Sequence, residues 1–319
     1  MNSIGGYFEL DLQHGNHFHA NALMLNTARN CLEYILLVRK YKKIYIPYYT
    51  CDAILEPLIK CKIKWEFYHI NIKFEPIFDY SLSDNEAFLY TNYFGLQQNC
   101  IINLYERYGS KLIVDNSQAF FAKPMHHVDT FYSARKFFGV PDGAYLYIDK
   151  YLDINIEKDS SISRMSHLLK RLELSPEDGY LDFKKNEQLL CHQPIKQMSL
   201  LTERILSSIN YELIKIKRKN NFNYLHKTLS DNNFLSISLE QDTVPMCYPY
   251  WSKNGFNTRE SLLKEKVFVA TYWLNVLEWC DPKNIEYSLA QNIIPLPIDQ
   301  RYGEDDMNRI IKIIQNGKI

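Results

Sequence analysis

Glycine is scarce, with 11 in 319 residues. Each one is therefore expected where a turn or a close approach demands it. The seven cysteines (Cys31, Cys51, Cys61, Cys100, Cys191, Cys247 and Cys280) form no CxxC pair and are odd in number. No Cys/His set has zinc spacing. This argues against a disulfide scaffold and a zinc module, and for reduced thiols in a reducing compartment. Charge of either sign is not in excess: 37 Lys plus Arg balance 37 Asp plus Glu. The total gives no electrostatic footing for a nucleic-acid partner, which needs several cations to release counterions. No apolar run approaches the roughly 18 residues of a membrane span. The opening MNSIGGYFELDLQHG has no cationic region followed by an apolar stretch, so no signal peptide is read. The expectation is a cytoplasmic protein with neither a membrane nor a nucleic acid as partner.

What is abundant is aromatic: 24 Tyr and 17 Phe, read as packing material rather than a stacking box. The length suits two lobes. A His-rich stretch, with His14, His17 and His19, reads as a polar loop, because a metal site wants a defined ligand geometry. No metal is expected. The basic run Lys215 to Lys219 (KIKRK) reads as the solvated face of a helix.

Along the chain, residues 27–41 read as a helix with Thr27 as N-cap and Leu32, Ile35, Leu36 and Leu37 as its apolar stripe. A β-type run, KKIYIPYY, follows, then a helical segment from Cys51 to Lys60. Strands over Lys62–His69, Ala87–Asn92 and Lys111–Val114, with a helix over Ile101–Tyr108, continue the alternation. Strands alternating with helices at this spacing predict βαβ units and a mainly parallel sheet flanked by helices. Strands are also expected over Asp129–Ser133 and Gly143–Ile148. Beyond residue 160 the period turns helical, and Leu200–Leu229 reads as one long helix. Residues 234–251 read as β-rich, and 258–268 and 304–315 as helices. A lobe boundary near 205 gives a large α/β domain over 1–205 and a smaller C-terminal α+β domain over 206–319.

The chemistry concentrates in Lys111 to Asp149, KLIVDNSQAFFAKPMHHVDTFYSARKFFGVPDGAYLYID. Leu112 to Val114 is an apolar strand, and Asp115 stands at its carboxyl end, where open parallel sheets bind ligands. The strand Asp129–Ser133 ends just before Lys136, and a Gly-containing turn leads to the next strand. An Asp and a Lys thus fall at one edge of one sheet. Pyridoxal 5'-phosphate (PLP) chemistry needs such a pair. A lysine forms the Schiff base with the aldehyde, and a carboxylate keeps the pyridine nitrogen protonated. The lysine must lose its ordinary pKa of about 10.4 to react near neutrality.

This stretch resembles the sugar aminotransferases of the DegT/StrS family, which have the fold-type I PLP architecture. Asp115, Gln118, Lys136 and the turn Gly139-Val140-Pro141-Asp142-Gly143 carry the resemblance. It implies that Asp115 pairs with the pyridinium nitrogen and that Gln118 lies by the ring near its hydroxyl. Lys136 becomes the cofactor lysine and proton carrier. Upstream, Asn26-Thr27-Ala28-Arg29-Asn30-Cys31-Leu32 resembles the family turn that holds the cofactor phosphate at a helix N-terminus. Ala28 and Arg29 stand where the family usually has Gly-Thr, and Arg29 offers a direct charge to the phosphate. Ile46-Pro47-Tyr48-Tyr49-Thr50-Cys51 is similar to the strand end that supplies a ring-stacking aromatic, here assigned to Tyr49. Tyr90 to Gly95 and Ile294 to Asp299 resemble further strand ends.

Departures accompany the matches. Only about 25 residues precede Thr27, so the family's N-terminal arm is shortened or replaced. The position five before the lysine, a serine in the family, is Phe131; Ser133 is the nearest hydroxyl and the candidate phosphate contact. Ser163-Arg164-Met165-Ser166 resembles, without its Asn, the segment the family uses from a partner subunit. The resemblance implies a homodimer and a transaminase that moves nitrogen from an amino acid donor, with glutamate expected, to a nucleotide-linked keto sugar in surface glycan biosynthesis. Two alternatives stand beside it: a PLP-dependent sugar dehydratase or lyase, and a non-catalytic protein that binds a sugar nucleotide or a partner on the same fold.

Overall fold

The computed structural model describes residues 4–252 and 254–316. Among the described residues, ten strands and eleven α-helices run in chain order as β1 (Leu23–Leu25), α1 (Ala28–Arg39), β2 (Lys43–Pro47), α2 (Leu55–Lys60), β3 (Lys64–Ile70), β4 (Pro76–Ile77), β5 (Glu86–Thr91), α3 (Gln98–Tyr108), β6 (Leu112–Asp115), β7 (Asp129–Ser133), β8 (Ala144–Tyr147), α4 (Ser166–Glu173), α5 (Pro176–Leu189), α6 (Leu200–Ser207), α7 (Tyr211–Leu229), β9 (Tyr248–Trp251), α8 (Gly255–Lys264), α9 (Val276–Trp279), α10 (Ile285–Asn292), β10 (Ile293–Leu296) and α11 (Glu304–Asn316). Among the described residues no helix is long and apolar enough to cross a membrane.

Eight strands form one sheet in the order β1-β8-β7-β6-β5-β2-β3-β4. The inner pairs β3/β2, β2/β5, β5/β6 and β6/β7 are parallel, while β4, β8 and β1 join antiparallel at the two ends. Strand alternation sorts the side chains by type. Ile44, Ile46, Ala87, Leu89, Ile113, Phe131 and Leu146 pack on one face, beneath Cys31, Leu32, Ile35 and Leu36 of α1. Tyr45, Phe88, Tyr90, Val114, Tyr132 and Tyr145 pack on the other, with Tyr93, Phe94, Phe120 and Phe137. Both faces are buried, as a parallel sheet requires. The aromatic excess of the sequence is largely this second layer.

Helix α1 begins where the sequence predicts: the Thr27 hydroxyl accepts the Asn30 amide at 3.1 Å. The predicted single helix over Leu200–Leu229 is two. It stops at Ser207 and restarts at Tyr211, where Asn210 accepts the Leu213 amide at 3.0 Å. The Asn side chain takes an amide that an unbroken helix would pair internally. Residues 234–251 yield one strand, Tyr248–Trp251, paired antiparallel with Ile293–Leu296. Before it the chain is irregular, with the Phe234 amide donating to Trp251 O at 3.3 Å. A further apolar core joins α7 (Phe222, Leu225), β9 and β10 (Tyr250, Ile294), α8 (Leu262) and α11 (Met307, Ile310).

The basic run is not wholly solvated. Arg218 is buried, donates from Nη1 to Met246 O at 2.9 Å and Pro245 O at 3.3 Å, and lies 4.6 Å from the Phe137 ring. Of the N-terminal histidines, His14 is exposed beside Arg204, while His17 and His19 pack inward. His17 Nδ1 lies 2.7 Å from the Tyr145 hydroxyl, and the buried His19 has Nε2 2.7 Å from Phe120 O. No group of three or more His, Cys, Asp or Glu side chains among the described residues could hold a metal.

Candidate active site

The parallel strands all point their carboxyl ends to one edge, and the order reverses about β2, which has β3 on one side and β5 on the other. Such an edge is where α/β sheets bind ligands. A cleft of ≈ 180 Å³ opens there. Its walls come from the start of α1 (Thr27, Ala28, Arg29), the segment after β2 (Thr50, Cys51, Ala53), the ends of β6 and β7 (Asp115, Ser117, Phe131, Ser133), the turn Ala134–Lys136, Gly143 and Glu187 of α5.

Asp115 and Lys136, both named from sequence, meet in this cleft. Asp115 closes β6 beside Phe131 of β7. Its Oδ1 accepts the Ser117 amide at 2.8 Å and the Ser117 hydroxyl at 2.5 Å. Burial raises the Asp115 pKa, opposed by the nearby positive Lys136 and by both Ser117 hydrogen bonds. Lys136 ends a 3-10 turn directly after β7, and its side chain is exposed. Its Nζ lies 5.9 Å from the Tyr272 ring and 6.0 Å from the Trp273 ring. Cys51 is close enough that Lys136 pulls its pKa down, but burial dominates and holds the thiol above its usual range. The thiol stays neutral and is a weak competitor for an electrophile.

The turn carrying Lys136 is tied to the start of α1 through one glycine. The Gly143 amide donates to Asn26 O at 2.7 Å, and Gly143 O accepts the Ala134 amide at 3.1 Å. Gly143 has φ +108°, and a Cβ there would stand 2.9 Å from Thr202 Cγ2. The preceding Asp142 is fully buried. It accepts from the Ser199 hydroxyl at 2.9 Å, the Ser199 amide at 3.2 Å, Arg164 at 3.3 Å and the Thr202 hydroxyl. Arg164, from the segment likened to a partner-subunit contact, is thus held inside its own chain, paired also with Asp159 at 2.8 Å.

The other predicted residues divide. Ala28 and Ser133 line the cleft. Arg29 also lines it, but its guanidinium is engaged: Nη2 donates to Leu190 O at 3.0 Å and Nε lies 3.7 Å from Glu56. Gln118 is fully buried outside the lining, its Oε1 accepting the Phe94 amide at 2.8 Å. Its Nε2 has no partner among the described residues. Tyr49 is also fully buried away from the lining, packed 5.2 Å from Trp273 and 5.5 Å from Tyr93. Just after β2 it is Thr50, Cys51, Ala53 and Ile54 that line the cleft instead. Arg135, adjacent to Lys136 in sequence but not assigned to the site there, is paired with Glu187 in the lining, and the Tyr272–Trp273 segment was missed. The Arg135 Nε is buried without a partner among the described residues. Arg135 was adjacent to Lys136 in sequence, a usable signal. Tyr272 and Trp273 arrive from over 130 residues away, with no local signature.

The donor set therefore has polarity. One end offers the first turn of α1, whose amides have no intrahelical acceptor, with Ser133 and Arg135 nearby. Asp115 offers a carboxylate, and the Lys136 amine lines the same cleft. This suits a molecule with an anionic group at one end and a protonated nitrogen at the other, and PLP has that form.

No family model matches the sequence, and no curated protein matches it either. Solved structures do match in three dimensions. A DegT DnrJ EryC1 StrS aminotransferase from Brucella abortus is 15% identical with TM-score 0.60, covering 92% of this chain and 85% of its own. A protein described as a sugar aminotransferase from Streptococcus pneumoniae, in its PMP form, is 12% identical with TM-score 0.66, over 93% and 87%. The sugar aminotransferase CalS13 from Micromonospora echinospora is 12% identical with TM-score 0.63, over 93% and 88%. The chain has the fold of these enzymes: a mainly parallel sheet flanked by helices with a small second antiparallel sheet.

Proposed function

We propose that this chain is a PLP-dependent aminotransferase that transfers nitrogen from glutamate to a nucleotide-linked keto sugar in glycan biosynthesis, working in the cytoplasm as a homodimer. The observation that carries the reading is the meeting of Asp115 and Lys136 in one cleft whose wall includes the start of α1. The likeness to aminotransferase structures over 92–93% of the chain supports it, and two of those structures are described as acting on sugars.

When bound, PLP supplies an electron sink for substrate carbon–hydrogen cleavage. Its phosphate would lie against the Ala28 and Arg29 amides and the Ser133 hydroxyl, favoured by the positive end of the α1 dipole. Asp115 would hold the ring nitrogen as a cation. The Ser117 amide and hydroxyl fix its carboxylate orientation, and its buried position strengthens the pairing. Lys136 Nζ is the proton carrier: as a free amine it takes a proton from a substrate carbon and returns it to an adjacent atom. The backbone tether through Ala134, Gly143 and Asn26 would hold the turn that carries Lys136 against the start of α1. The Tyr272 and Trp273 rings, 5.9 and 6.0 Å from Nζ, would favour a positive charge on Lys136.

The test is spectroscopic and chemical. Purified protein is titrated with PLP, reduced with borohydride and mapped by peptide mass. A visible band and a single adduct on Lys136, both lost in Lys136→Ala, are expected. Formation of 2-oxoglutarate from glutamate, dependent on an added nucleotide-linked keto sugar, identifies the transaminase and separates it from a lyase. Adducts scattered over surface lysines would remove the enzyme reading.

A further inference from the structure

Helix α5 presents an outward stripe whose composition is symmetric. Gly179 and Asn186 are buried on its inner side. The opposite side, at helical spacing, carries Glu177, Asp178, Leu181, Lys184 and Lys185, all exposed, with Leu181 at 79%. Leu181 is the midpoint. Glu177 and Lys185 stand four residues before and after it, and Asp178 and Lys184 three before and after. Around the stripe lie further exposed apolar side chains: Leu172 at 82%, Leu174 at 67% and Tyr180 at 54%. A cluster of this kind on one hairpin exceeds the scattered surface leucine that needs no explanation.

We propose that α5 is a self-association face on which a second copy of this chain docks antiparallel, about a two-fold axis through Leu181. A two-fold interface must be self-complementary. An antiparallel copy of this stripe meets that condition: Leu181 faces Leu181 once, on the axis, while Glu177 faces Lys185 and Asp178 faces Lys184, each twice. The stripe's present polar engagements all lie at the surface. Glu177 lies 3.2 Å from Lys266 at the surface, Asp178 accepts from the Ser175 hydroxyl at 2.5 Å, and Lys184 sits 5.8 Å from the Tyr180 ring. The inner side of the same helix grips the cleft. Glu187 pairs with Arg135, and Asn186 Nδ2 donates to Pro141 O at 2.9 Å. The second copy is therefore seated against the wall that carries Lys136. This names a face where the homodimer reading names only an assembly, and it stands on the geometry of α5, independent of the cleft's chemistry.

The experiment is sedimentation velocity on the full-length chain and on two charge variants, Lys184→Glu/Lys185→Glu and Glu177→Lys/Asp178→Lys. Wild type is expected to be dimeric. Each variant faces like charges across the axis and shifts to monomer, with its dissociation constant raised by at least about tenfold. An equimolar mixture re-pairs acid with base and recovers a heterodimer. Thermal melting checks that both variants fold; if one does not, the single changes Lys185→Glu and Glu177→Lys are read in the same way. A wild-type dimer unmoved by these changes, or a mixture that stays monomeric, overturns the α5 face alone. A monomeric wild type overturns the face and the homodimer reading together.

Discussion

His19 gives a prediction whose size follows from its surroundings. The ring is 1% exposed, lies 4.1 Å from the Tyr132 ring centroid, and has Nε2 2.7 Å from Phe120 O and Nδ1 3.2 Å from the Tyr147 hydroxyl. Burial disfavours the imidazolium and lowers the pKa from 6.5 to about 4, only partly offset by the Phe120 carbonyl. The unfolded chain binds this proton below 6.5, whereas the folded chain binds it only below about 4. Between those values the unfolded state holds more protons, so stability falls as pH falls through the window. The full loss is about 3 kcal/mol, of which about 2 kcal/mol is reached by pH 5. The perturbation is His19→Gln, whose amide still donates toward Phe120 O but does not titrate. Urea unfolding is measured for both proteins from pH 7.5 to 5, at constant slope with denaturant. The other eight histidines cancel in the difference. Wild type should lose about 2 kcal/mol relative to the variant across that range. A flat difference would refute the argument, because it would mean that folded His19 keeps an ordinary pKa.

Three further outcomes are expected. Asp115→Asn keeps the shape and removes the charge, so turnover with glutamate should fall roughly 10²-fold or more while thermal stability changes little; an unchanged turnover would take Asp115 out of the site. Gly143→Ala places a Cβ 2.9 Å from Thr202 Cγ2 at φ +108°, which should cost about 1–3 kcal/mol in urea unfolding and weaken PLP binding through the shared Ala134 and Asn26 hydrogen bonds. Arg218→Met leaves the Met246 and Pro245 carbonyls without their buried donor, costing about 2–3 kcal/mol; a neutral result would mean that water reaches those carbonyls.

The reading of α5 and the reading of the cleft also bear on each other. If a second copy docks at Leu181, Lys184→Glu/Lys185→Glu should perturb PLP titrations only through the Arg135–Glu187 wall, not through Asp115.

The amino-acid sequence determined the alternation of strands and helices, the start of α1 and the pairing of Asp115 with Lys136 at one sheet edge. Those features rest on local periods, a cap residue and strand ends, all written in neighbouring positions. The break at Asn210 is not read from the sequence, because the residues on both sides keep a helical period and only the folded chain shows its side chain capping α7. Which face each side chain takes was decided by tertiary structure. Tyr49 and Gln118 sit at the right strand ends, but packing turns Tyr49 toward Tyr93 and Trp273 and ties Gln118 to the Phe94 amide. Arg218 reads as solvated until the folded chain brings two carbonyls and the Phe137 ring to it. Tyr272 and Trp273 reach Lys136 only because the chain returns after more than 130 residues. Spacing records neighbours along the chain, whereas desolvation, hydrogen-bond partners and the walls of a cleft belong to neighbours in space.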